Sequence, residues 1–384
     1  MDISTVKGFR DIDGKDAEKR ILIRNIIENV FKKYNFIPAE TPIIENEDFV
    51  RGENSGDEAV STVFKLRDRG ERNLALRYEF TFQLKRLALN KKLPYKRYEI
   101  GPVFRDEPIA GNRFRQFTQC DADIVGSNVK DEAEIISIAR EIFDKLGIKV
   151  AINVNNRKLL NEILDKNSII DKSSVIRELD KLDKLSEKEV QQNLKKYNAE
   201  KILEVFKNKE KDFEKYENYK EISDLKEACN AYGVKINFVP FLARGLSYYN
   251  GSIFEIKAQE IKETISAGGS YMVNGMQATG ISFGLDRLEI IAKLDENKKN
   301  VVVLSINEDK KAIELAKTLR GNNIPCSIMY GKVTKALEYA NSYGINYVIF
   351  VGEEEVKKNK FLVKDMKSGK ERMLSQEDLF KEFI

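Results

Sequence analysis

Two segments with the composition of β-strands, separated by a short polar loop, constrain the fold of this chain more than any other feature. Residues 95–104 and 114–124 are rich in aromatic and β-branched side chains. The loop between them, 105–113, contains Pro108 and Gly111, which are typical of turns. The pattern predicts two antiparallel strands joined by this loop.

One face of the second predicted strand carries many polar groups. Alternation places these side chains on that face: Arg113, Arg115, Phe117, Gln119, Asp121 and Asp123. Arg105 and Arg113 bracket the loop, where two guanidinium groups can clamp phosphate oxygens, and the Phe117 ring can stack on a base. A solvent-facing strand with salt bridges explains the pattern equally well, so this segment alone leaves both interpretations open.

Helical and extended patterns surround this hairpin. Apolar residues at helical spacing predict four helices, at 15–34, 82–89, 131–146 and 284–294. Residues 35–42 are predicted to be extended, because their two prolines disfavour a helix before them. Further strand patterns occur at 63–66, at 74–78, and from 234 to 268. These patterns indicate that this part of the chain combines helices with strands.

Two other parts of the chain have patterns of their own. Residues 157–232 are rich in Lys, Glu, Asp, Asn and Leu and contain neither glycine nor proline, which predicts a helical insertion with solvated charged faces. Near the C-terminus, strand and helix patterns alternate, at 301–306, 309–320, 326–330, 333–343 and 347–351. This order predicts a small α/β domain with a mainly parallel sheet.

The composition limits the class of function. The 66 basic and 62 acidic residues nearly cancel, so any nucleic-acid site must be a local patch. Cys120, Cys229 and Cys326 form no C-x-x-C pair, which argues against a disulfide framework or a cysteine zinc site. The first residues lack an apolar signal core, and the apolar runs are too short to span a bilayer. We therefore expect a cytoplasmic protein with no membrane segment.

Histidine is absent from the sequence. Its absence excludes Ser-His-Asp and Cys-His catalysis, H-E-x-x-H zinc sites and an imidazole general base. An enzyme of this composition must use arginine, carboxylates, tyrosine, backbone groups or a hard metal ion. Phosphoryl or adenylyl transfer meets that requirement, because it depends mainly on charge stabilisation.

The segment 243–251 combines groups that suit a small polar ligand. Arg244 can bind an anion, Tyr248 and Tyr249 offer hydrogen bonds and shape, and two glycines allow close approach of the backbone. Taken alone, an ordinary hairpin with exposed tyrosines is the simpler interpretation.

Three segments together resemble the motifs of class II aminoacyl-tRNA synthetases. The hairpin, with F-R-x-E, a loop and R-x-R-x-F-x-Q, resembles motif 2. The sequence G-I-S-F-G-L-D-R-L at 280–288 resembles motif 3, and the extended segment through Pro42 is similar to motif 1. The resemblance implies an α+β fold with a mostly antiparallel catalytic sheet and helices, and a homodimer formed through the N-terminal region.

Further segments resemble histidyl-tRNA synthetases in particular. These are L-R-Y-E-F-T at 76–81, R-G-L-S-Y-Y-N-G at 244–251, A-G-G-S-Y at 267–271 and an anticodon-domain pattern at 331–365. Ser270 and Met272 stand where the family signature G-G-R-Y-D has Arg and Asp. Ser247 and Asp123 resemble variants of the archaeal-type branch.

The resemblance implies a role for each site residue. Arg105 and Arg244 would be the catalytic groups, because they would hold the α-phosphate and the amino-acid carboxylate. ATP would be bound by Arg105, Glu107, Arg113, Phe117 and Arg287. Histidine would be bound by Glu79, Thr81, Gln119, Asp123, Tyr248, Tyr249 and Tyr271. ATP is the expected co-substrate, Mg²⁺ is expected with it, and no metal-ligating side chain is assigned.

The implied function is ATP-dependent activation of histidine and its transfer to tRNA(His). Residues 1–156 and 233–297 would form the catalytic domain, 157–232 the insertion, and 298–384 the anticodon-binding domain. The alternative is a non-catalytic paralogue, such as a regulatory subunit of ATP phosphoribosyltransferase or a sensor of histidine or uncharged tRNA. Such subunits usually lack the anticodon domain and lose motif arginines, whereas this chain retains Arg105, Arg244 and Arg287.

Overall fold

The computed structural model describes residues 3–52, 58–109, 111, 113–183, 185–243, 248–294 and 299–383. The chain divides into two compact units, Met1–Leu294 and Asp295–Ile384. No helix among the described residues is long and apolar enough to cross a membrane.

The described residues of the first unit form eleven strands. They are β1 (Ile37–Pro38), β2 (Ile44–Asn46), β3 (Lys65–Arg67), β4 (Asn73–Leu76), β5 (Tyr95–Phe104), β6 (Gln116–Val125), β7 (Val150–Asn156), β8 (Asn237–Phe238), β9 (Tyr249–Ala258), β10 (Thr264–Val273) and β11 (Met276–Gly284). Eight strands form one sheet in the order β1-β5-β6-β11-β10-β9-β7-β8, and the other three form a small sheet in the order β2-β4-β3.

Each helix predicted for the first unit is present to within a few residues, and two short helices between residues 47 and 61 were not predicted. The helices are α1 (Gly14–Lys33), α2 (Glu47–Arg51), α3 (Glu58–Ser61), α4 (Thr81–Leu87), α5 (Val129–Lys145), α6 (Arg157–Lys166), α7 (Lys172–Leu179), α8 (Glu187–Leu194), α9 (Ile202–Phe206), α10 (Tyr219–Ala231) and α11 (Leu285–Ile291). Short 3₁₀ helices occur at Asp180–Asp183, Lys195–Tyr197 and Glu210–Phe213. The α+β fold expected from the sequence is confirmed.

The predicted hairpin forms the second and third strands of the larger sheet. β5 and β6 are antiparallel over their full length, from Tyr95 opposite Val125 to Phe104 opposite Gln116. β11 pairs with the free edge of β6 and with β10, again antiparallel. The two edge strands, β1 and β8, are parallel to their neighbours.

Helices α1 and α5 cover one face of this sheet. Phe31 of α1 and Phe143 of α5 both pack on Phe283 of β11, with ring centroids 6.2 and 5.6 Å apart. Side chains alternate along a strand, so Cys120 and Ala122 of β6 join this buried core. Their neighbours Gln119, Asp121 and Asp123 therefore lie on the opposite face of the sheet.

The second unit has a sheet in the order β13-β12-β14-β15-β16. Its strands are β12 (Val301–Ser305), β13 (Cys326–Tyr330), β14 (Tyr347–Val351), β15 (Lys360–Asp365) and β16 (Glu371–Ser375). Its helices are α12 (Asp309–Gly321), α13 (Val333–Ser342), α14 (Glu353–Lys358) and α15 (Gln376–Phe383). Apolar clusters lie on both faces of the sheet, as an α/β layer architecture requires.

The expectation of a mainly parallel sheet in this unit is only half correct. β12 is parallel to β13 and β14, but β14–β15 and β15–β16 are antiparallel. The turn between β15 and β16 explains the last pair. The Asp365 carboxylate accepts hydrogen bonds from the Lys367 and Ser368 amides, and Gly369 adopts a φ of 71°.

Candidate active site

A cavity of about 320 Å³ opens on the sheet face that the helices leave uncovered. Residues from the β4–α4 connection, the β5–β6 hairpin, β9, β10, β11 and α11 line it. The lining includes the following residues predicted from the sequence: Glu79, Thr81, Arg105, Glu107, Arg113, Phe117, Gln119, Asp123, Tyr248, Tyr249, Tyr271 and Arg287. Arg244 and Ser247, which were also singled out, lie outside the described residues.

Gly280 in the cavity lining and Gly269 on β10 make room for the polar side chains. A Cβ atom on Gly280 would lie 2.0 Å from Asp123 Oδ1, and one on Gly269 would lie 2.9 Å from the Tyr249 ring. Both distances are far below van der Waals contact. The position of the Asp123 carboxylate therefore depends on the absence of a side chain at residue 280.

Three carboxylates cluster with an amide at one end of the cavity, which we call the acidic end: Glu79, Gln119, Asp121 and Asp123. All four side chains are buried. Burial raises the pKa of Glu79 to about 8, with the Arg105 charge opposing and the two aspartates reinforcing that shift. Burial and the neighbouring Asp123 raise the pKa of Asp121 to about 7. A cationic ligand would stabilise the ionised forms of these groups.

A fully buried arginine stands behind the acidic end. Arg97 lies opposite Asp123 in the β5–β6 register, and its Nη2 atom is 3.0 Å from Asp123 Oδ2. Nη2 also donates to the Phe80 carbonyl at 3.1 Å. Burial raises the pKa of Asp123, whereas the Arg97 charge and a hydrogen bond from Tyr271 oppose that shift. Arg97 thus favours an ionised Asp123, which can only accept hydrogen bonds.

Tyr248, Tyr249 and Tyr271 form a wall beside the acidic end. The Tyr248 ring centroid lies 5.0 Å from that of Tyr249 and 5.3 Å from that of Tyr271. The Tyr271 hydroxyl donates to Asp123 Oδ1, and the Tyr248 hydroxyl lies 3.5 Å from Thr81 Oγ1. Burial raises the pKa of each phenol, so all three are neutral at physiological pH. The wall gives a small ligand a fixed shape with polar tips.

The other end of the cavity, the basic end, consists of Arg105, Arg113, Phe117 and Arg287. The Arg105 guanidinium lies 5.1 Å from the centroid of the Phe117 ring, and its Nε donates to the Tyr78 carbonyl at 3.2 Å. Arg113 pairs with Glu107 at 3.1 Å, and Arg287 donates to the Thr264 carbonyl. Arg113 is exposed and the other three side chains are only partly buried, so an anionic ligand can replace their local partners.

The helix that carries Arg287 is anchored through its neighbour Asp286. Asp286 Oδ2 accepts from the Thr118 amide at 2.8 Å, and Oδ1 lies 2.9 Å from Arg20 and 3.1 Å from Arg10. These contacts connect α11 to β6 and to the N-terminal segment. They fix the direction from which Arg287 enters the cavity.

Strand alternation failed as a guide at the start of β6. Arg115 was expected on the same face as Gln119, but it is absent from the cavity lining. It pairs instead with Asp106 at 3.0 Å and donates to the Glu107 carbonyl. The physical reason is that β6 begins at Gln116, so Arg113 and Arg115 precede the regular alternation. Phe114, which alternation places on the other face, lines the cavity.

The sequence assigned no role to three residues at the cavity. Asp121 and Asp286 are part of its lining, and Arg97 lies directly behind it. Asp121 shares the i, i+2 spacing of Gln119 and Asp123, which was a usable signal. Arg97 is a charged residue in the middle of a predicted strand, which also signals a buried partner. Asp286 offered no comparable local signal, because its partners Arg10 and Arg20 are far away in sequence.

The two positions that depart from the family signature are not part of the cavity lining. The Ser270 hydroxyl donates to the buried carboxylate of Glu132 on α5, on the helix-covered face of the sheet. Met272 is 44% exposed. Neither residue lines the cavity, whereas Tyr271 between them does.

The hairpin, the antiparallel sheet and the cavity have the arrangement expected for a class II aminoacyl-tRNA synthetase. A family model described as histidyl-tRNA synthetase matches residues 8–288, and one described as anticodon binding domain matches residues 300–384. The chain belongs to the histidyl-tRNA synthetase family.

Individual relatives agree with this assignment. Histidine–tRNA ligase 2 of Shouchella clausii is 35% identical, over 97% of this chain and 98% of that protein. Histidine–tRNA ligase 1 of Bacillus cereus ATCC 10987 is 34% identical, over 97% and 95%. The histidyl-tRNA synthetase structure from Nostoc sp. PCC 7120 has a TM-score of 0.87 at 25% identity, covering 100% of this chain and 99% of that one.

A further solved structure bears on the alternative function. It is titled an ATP phosphoribosyltransferase regulatory subunit/histidyl-tRNA synthetase from Bacillus halodurans C, with a TM-score of 0.76 at 19% identity. It covers 91% of this chain and 98% of that one. At this identity the likeness concerns the fold alone, so the comparisons do not favour a regulatory subunit.

Proposed function

We propose that this protein activates histidine with ATP to form histidyl-adenylate and then transfers the histidyl group to tRNA(His). One observation carries the proposal. A single cavity joins a buried acidic end, suited to a cationic hydrogen-bonding ligand, to a basic end with an aromatic ring, suited to a nucleotide. Histidine and ATP have these complementary chemistries.

Histidine would occupy the acidic end. Glu79, Thr81 and Gln119 would bind its α-ammonium group, which a buried carboxylate and two polar oxygens can hold. Asp123 and Tyr249 would bind the two imidazole nitrogens, and Tyr248 and Tyr271 would enclose the ring. A ligand that lacks those nitrogens would leave buried polar groups without partners, which disfavours other amino acids.

ATP would occupy the basic end. Arg105 would hold the α-phosphate, Arg113 and Arg287 the outer phosphates, and Glu107 the adenosine end. Adenine would stack between Phe117 and the Arg287 guanidinium. The Arg105 guanidinium already lies beside the Phe117 ring, which supports a site where a phosphate and a base come close together.

The activation step requires no general base. The carboxylate of histidine is ionised at neutral pH and attacks the α-phosphorus directly. Arg105, and Arg244 from the undescribed segment, would balance the charge that develops, while pyrophosphate leaves. The terminal ribose hydroxyl of tRNA would then attack the activated carbonyl, passing its proton to the phosphate of the departing AMP. Positioning by the cavity would supply much of the acceleration.

Mg²⁺ would be held mainly by the phosphates of ATP. Among the described residues, no group of three or more acidic or sulfur ligands is arranged as a metal site. Mg²⁺ usually takes most of its ligands from substrate phosphates and water, so the proposal needs no dedicated metal site in the protein. When bound, the ion would neutralise charge on the outer phosphates.

The remaining assignments concern assembly and RNA. We propose residues 1–156 and 233–297 as the catalytic domain, 157–232 as an insertion and 298–384 as the anticodon-binding domain, with Lys332, Lys335 and Asn341 as RNA contacts. A homodimer through the N-terminal region is supported by exposed isoleucines at 37, 43 and 44. We propose the cytoplasm as its location.

The test is ATP–pyrophosphate exchange with the purified protein and each of the twenty amino acids. Exchange with histidine alone, abolished by Arg244→Ala, is the expected result, and charging of tRNA(His) is the next assay. A protein that binds histidine but exchanges with no amino acid would instead be the non-catalytic paralogue.

A further inference from the structure

Asp121 lines the acidic end but has no role in the scheme above. Its two carboxylate oxygens lie 3.0 and 2.9 Å from one atom, Nε2 of Gln119. Both side chains are buried, at 4% and 6% exposure, so water does not compete strongly for these contacts. Two short contacts from one carboxylate to one amide nitrogen define the orientation of that amide.

The orientation matters because the two ends of a glutamine amide have similar size and opposite polarity. A bound ammonium group favours the ionised form of Asp121. In that form the carboxylate only accepts hydrogen bonds, so it can bind the NH₂ end of Gln119 but not its carbonyl. The carbonyl oxygen Oε1 is consequently turned away from Asp121. It accepts no hydrogen bond from any residue within the part of the chain that the structure describes.

We infer that Asp121 is a positioning residue, which fixes the Gln119 amide so that its carbonyl faces the α-ammonium group of the amino-acid substrate. This inference rests on the proposed function. With the amide reversed, its two N–H donors would face the ammonium group. Glu79 and Thr81 would then bind that group without the Gln119 carbonyl. Asp121 thus acts on the substrate through Gln119.

The surroundings of Asp121 support an indirect role. In the sheet it lies opposite Glu99 on β5 and opposite Ser282 on β11, and it is flanked on β6 by Gln119 and Asp123. The Asp121 charge also interacts electrostatically with Arg97, Arg77 and Glu79. Several carboxylates therefore contribute negative charge at the acidic end, whereas Asp121 makes the hydrogen bonds to Gln119 Nε2.

The experiment compares two ligands that differ only at the α-carbon. Binding of histidine and of 3-(imidazol-4-yl)propionate, which lacks the α-amino group, is measured by titration calorimetry. We expect Asp121→Asn to weaken histidine binding about tenfold and binding of the analogue less than about twofold, since one hydrogen bond to a charged group is at stake. Asp106→Asn, the same charge change at an exposed position on the hairpin, is the matched control.

A double-mutant cycle tests whether Asp121 acts through the amide. The pair Asp121→Asn and Gln119→Met should bind histidine no more weakly than Gln119→Met alone. Equal weakening of both ligands by Asp121→Asn, or full additivity in the cycle, would overturn the inference. If Asp121→Asn does not fold, Asp121→Glu, which displaces the carboxylate by one methylene group, serves in the same comparison.

The two levels of failure are distinguishable. A wild-type protein that does not bind histidine would overturn the proposed function together with the inference. A wild-type protein that binds histidine, with an Asp121→Asn variant that binds it equally well, would overturn the inference alone.

Discussion

The two ends of the cavity stabilise charge in different ways. At the acidic end the side chains are buried, and Asp123 is held by Arg97 and Tyr271 before any ligand arrives. At the basic end the arginines are partly exposed and pair with nearby groups, as Arg113 does with Glu107. The acidic end is therefore built for one geometry, whereas the basic end can exchange its partners.

This difference suggests how selectivity and catalysis are divided. A buried donor or acceptor that loses its partner carries the full desolvation penalty, so the acidic end should discriminate strongly between ligands. An exposed ion pair contributes little by itself, so the basic arginines can leave their partners at low cost when phosphate arrives. Variants at the two ends should then affect different measurements.

The largest effect is expected at the basic end. Arg105→Ala should lower the rate of ATP–pyrophosphate exchange about 100-fold to 1,000-fold, because it removes charge that stabilises the transition state. The dissociation constant for histidine alone should change only a few-fold. Arg115→Ala, on the same hairpin but outside the cavity lining, is the control. A comparable loss of histidine affinity in Arg105→Ala would contradict the division between the two ends.

The next effect is expected on the cavity floor beneath the acidic end. Gly280→Ala introduces a Cβ atom 2.0 Å from Asp123 Oδ1, so the carboxylate must move. We expect histidine binding to weaken about 10-fold to 100-fold, the range of an overpacked site. Gly284→Ala, later on the same strand, meets only the Arg287 side chain at 4.0 Å and should be nearly neutral. Equal histidine affinity of Gly280→Ala and Gly284→Ala would show that the acidic end is not rigid.

The sequence predicted much of the fold, because the elements that carry the site are long and strongly patterned. The β5–β6 hairpin and helices α1 and α5 were located to within a few residues. Alternation also grouped Gln119, Asp121 and Asp123 correctly. These are local properties of one strand or one helix, which periodicity reports directly.

What the sequence did not predict depends on contacts between distant segments. Asp286 meets Arg20 across most of the first unit, and Arg97 meets Asp123 only through strand register. The position of Arg115 depended on where β6 begins, and strand ends are set by tertiary packing. Likewise, the absence of Ser270 and Met272 from the cavity lining could be recognised only once the sheet faces were known.

A third prediction concerns protons at the acidic end. The pKa of Glu79 lies at about 8 in the free protein, well above its ordinary value of 4.5. At pH 7 it is largely protonated, and a bound ammonium group should lower its pKa and release a proton. Calorimetry in two buffers of different ionisation enthalpy should show greater proton release on histidine binding by wild type than by Glu79→Gln.

The same pKa has a consequence for stability, with the opposite sign from an ion-paired carboxylate. Between pH 4.5 and 8 the folded protein binds more protons at Glu79 than the unfolded chain does. The free energy of unfolding should therefore fall as pH rises through this window. Chemical denaturation of Glu79→Gln at pH 5 and pH 7.5 should show a smaller decrease than wild type. An equal decrease would assign the effect to other groups, such as Asp121.

The smallest effects are expected at the two departures from the family signature. Ser270→Ala removes a hydrogen bond to the buried Glu132 and should lower the free energy of unfolding by about 1–3 kcal/mol. Met272→Asp changes an exposed side chain and should lie within about 0.5 kcal/mol of wild type. Both should bind histidine within about twofold of wild type, because neither position lines the cavity. A tenfold change in histidine affinity for either variant would mean that the acidic end extends beyond its cavity-lining residues, through the sheet to Glu132 or along β10.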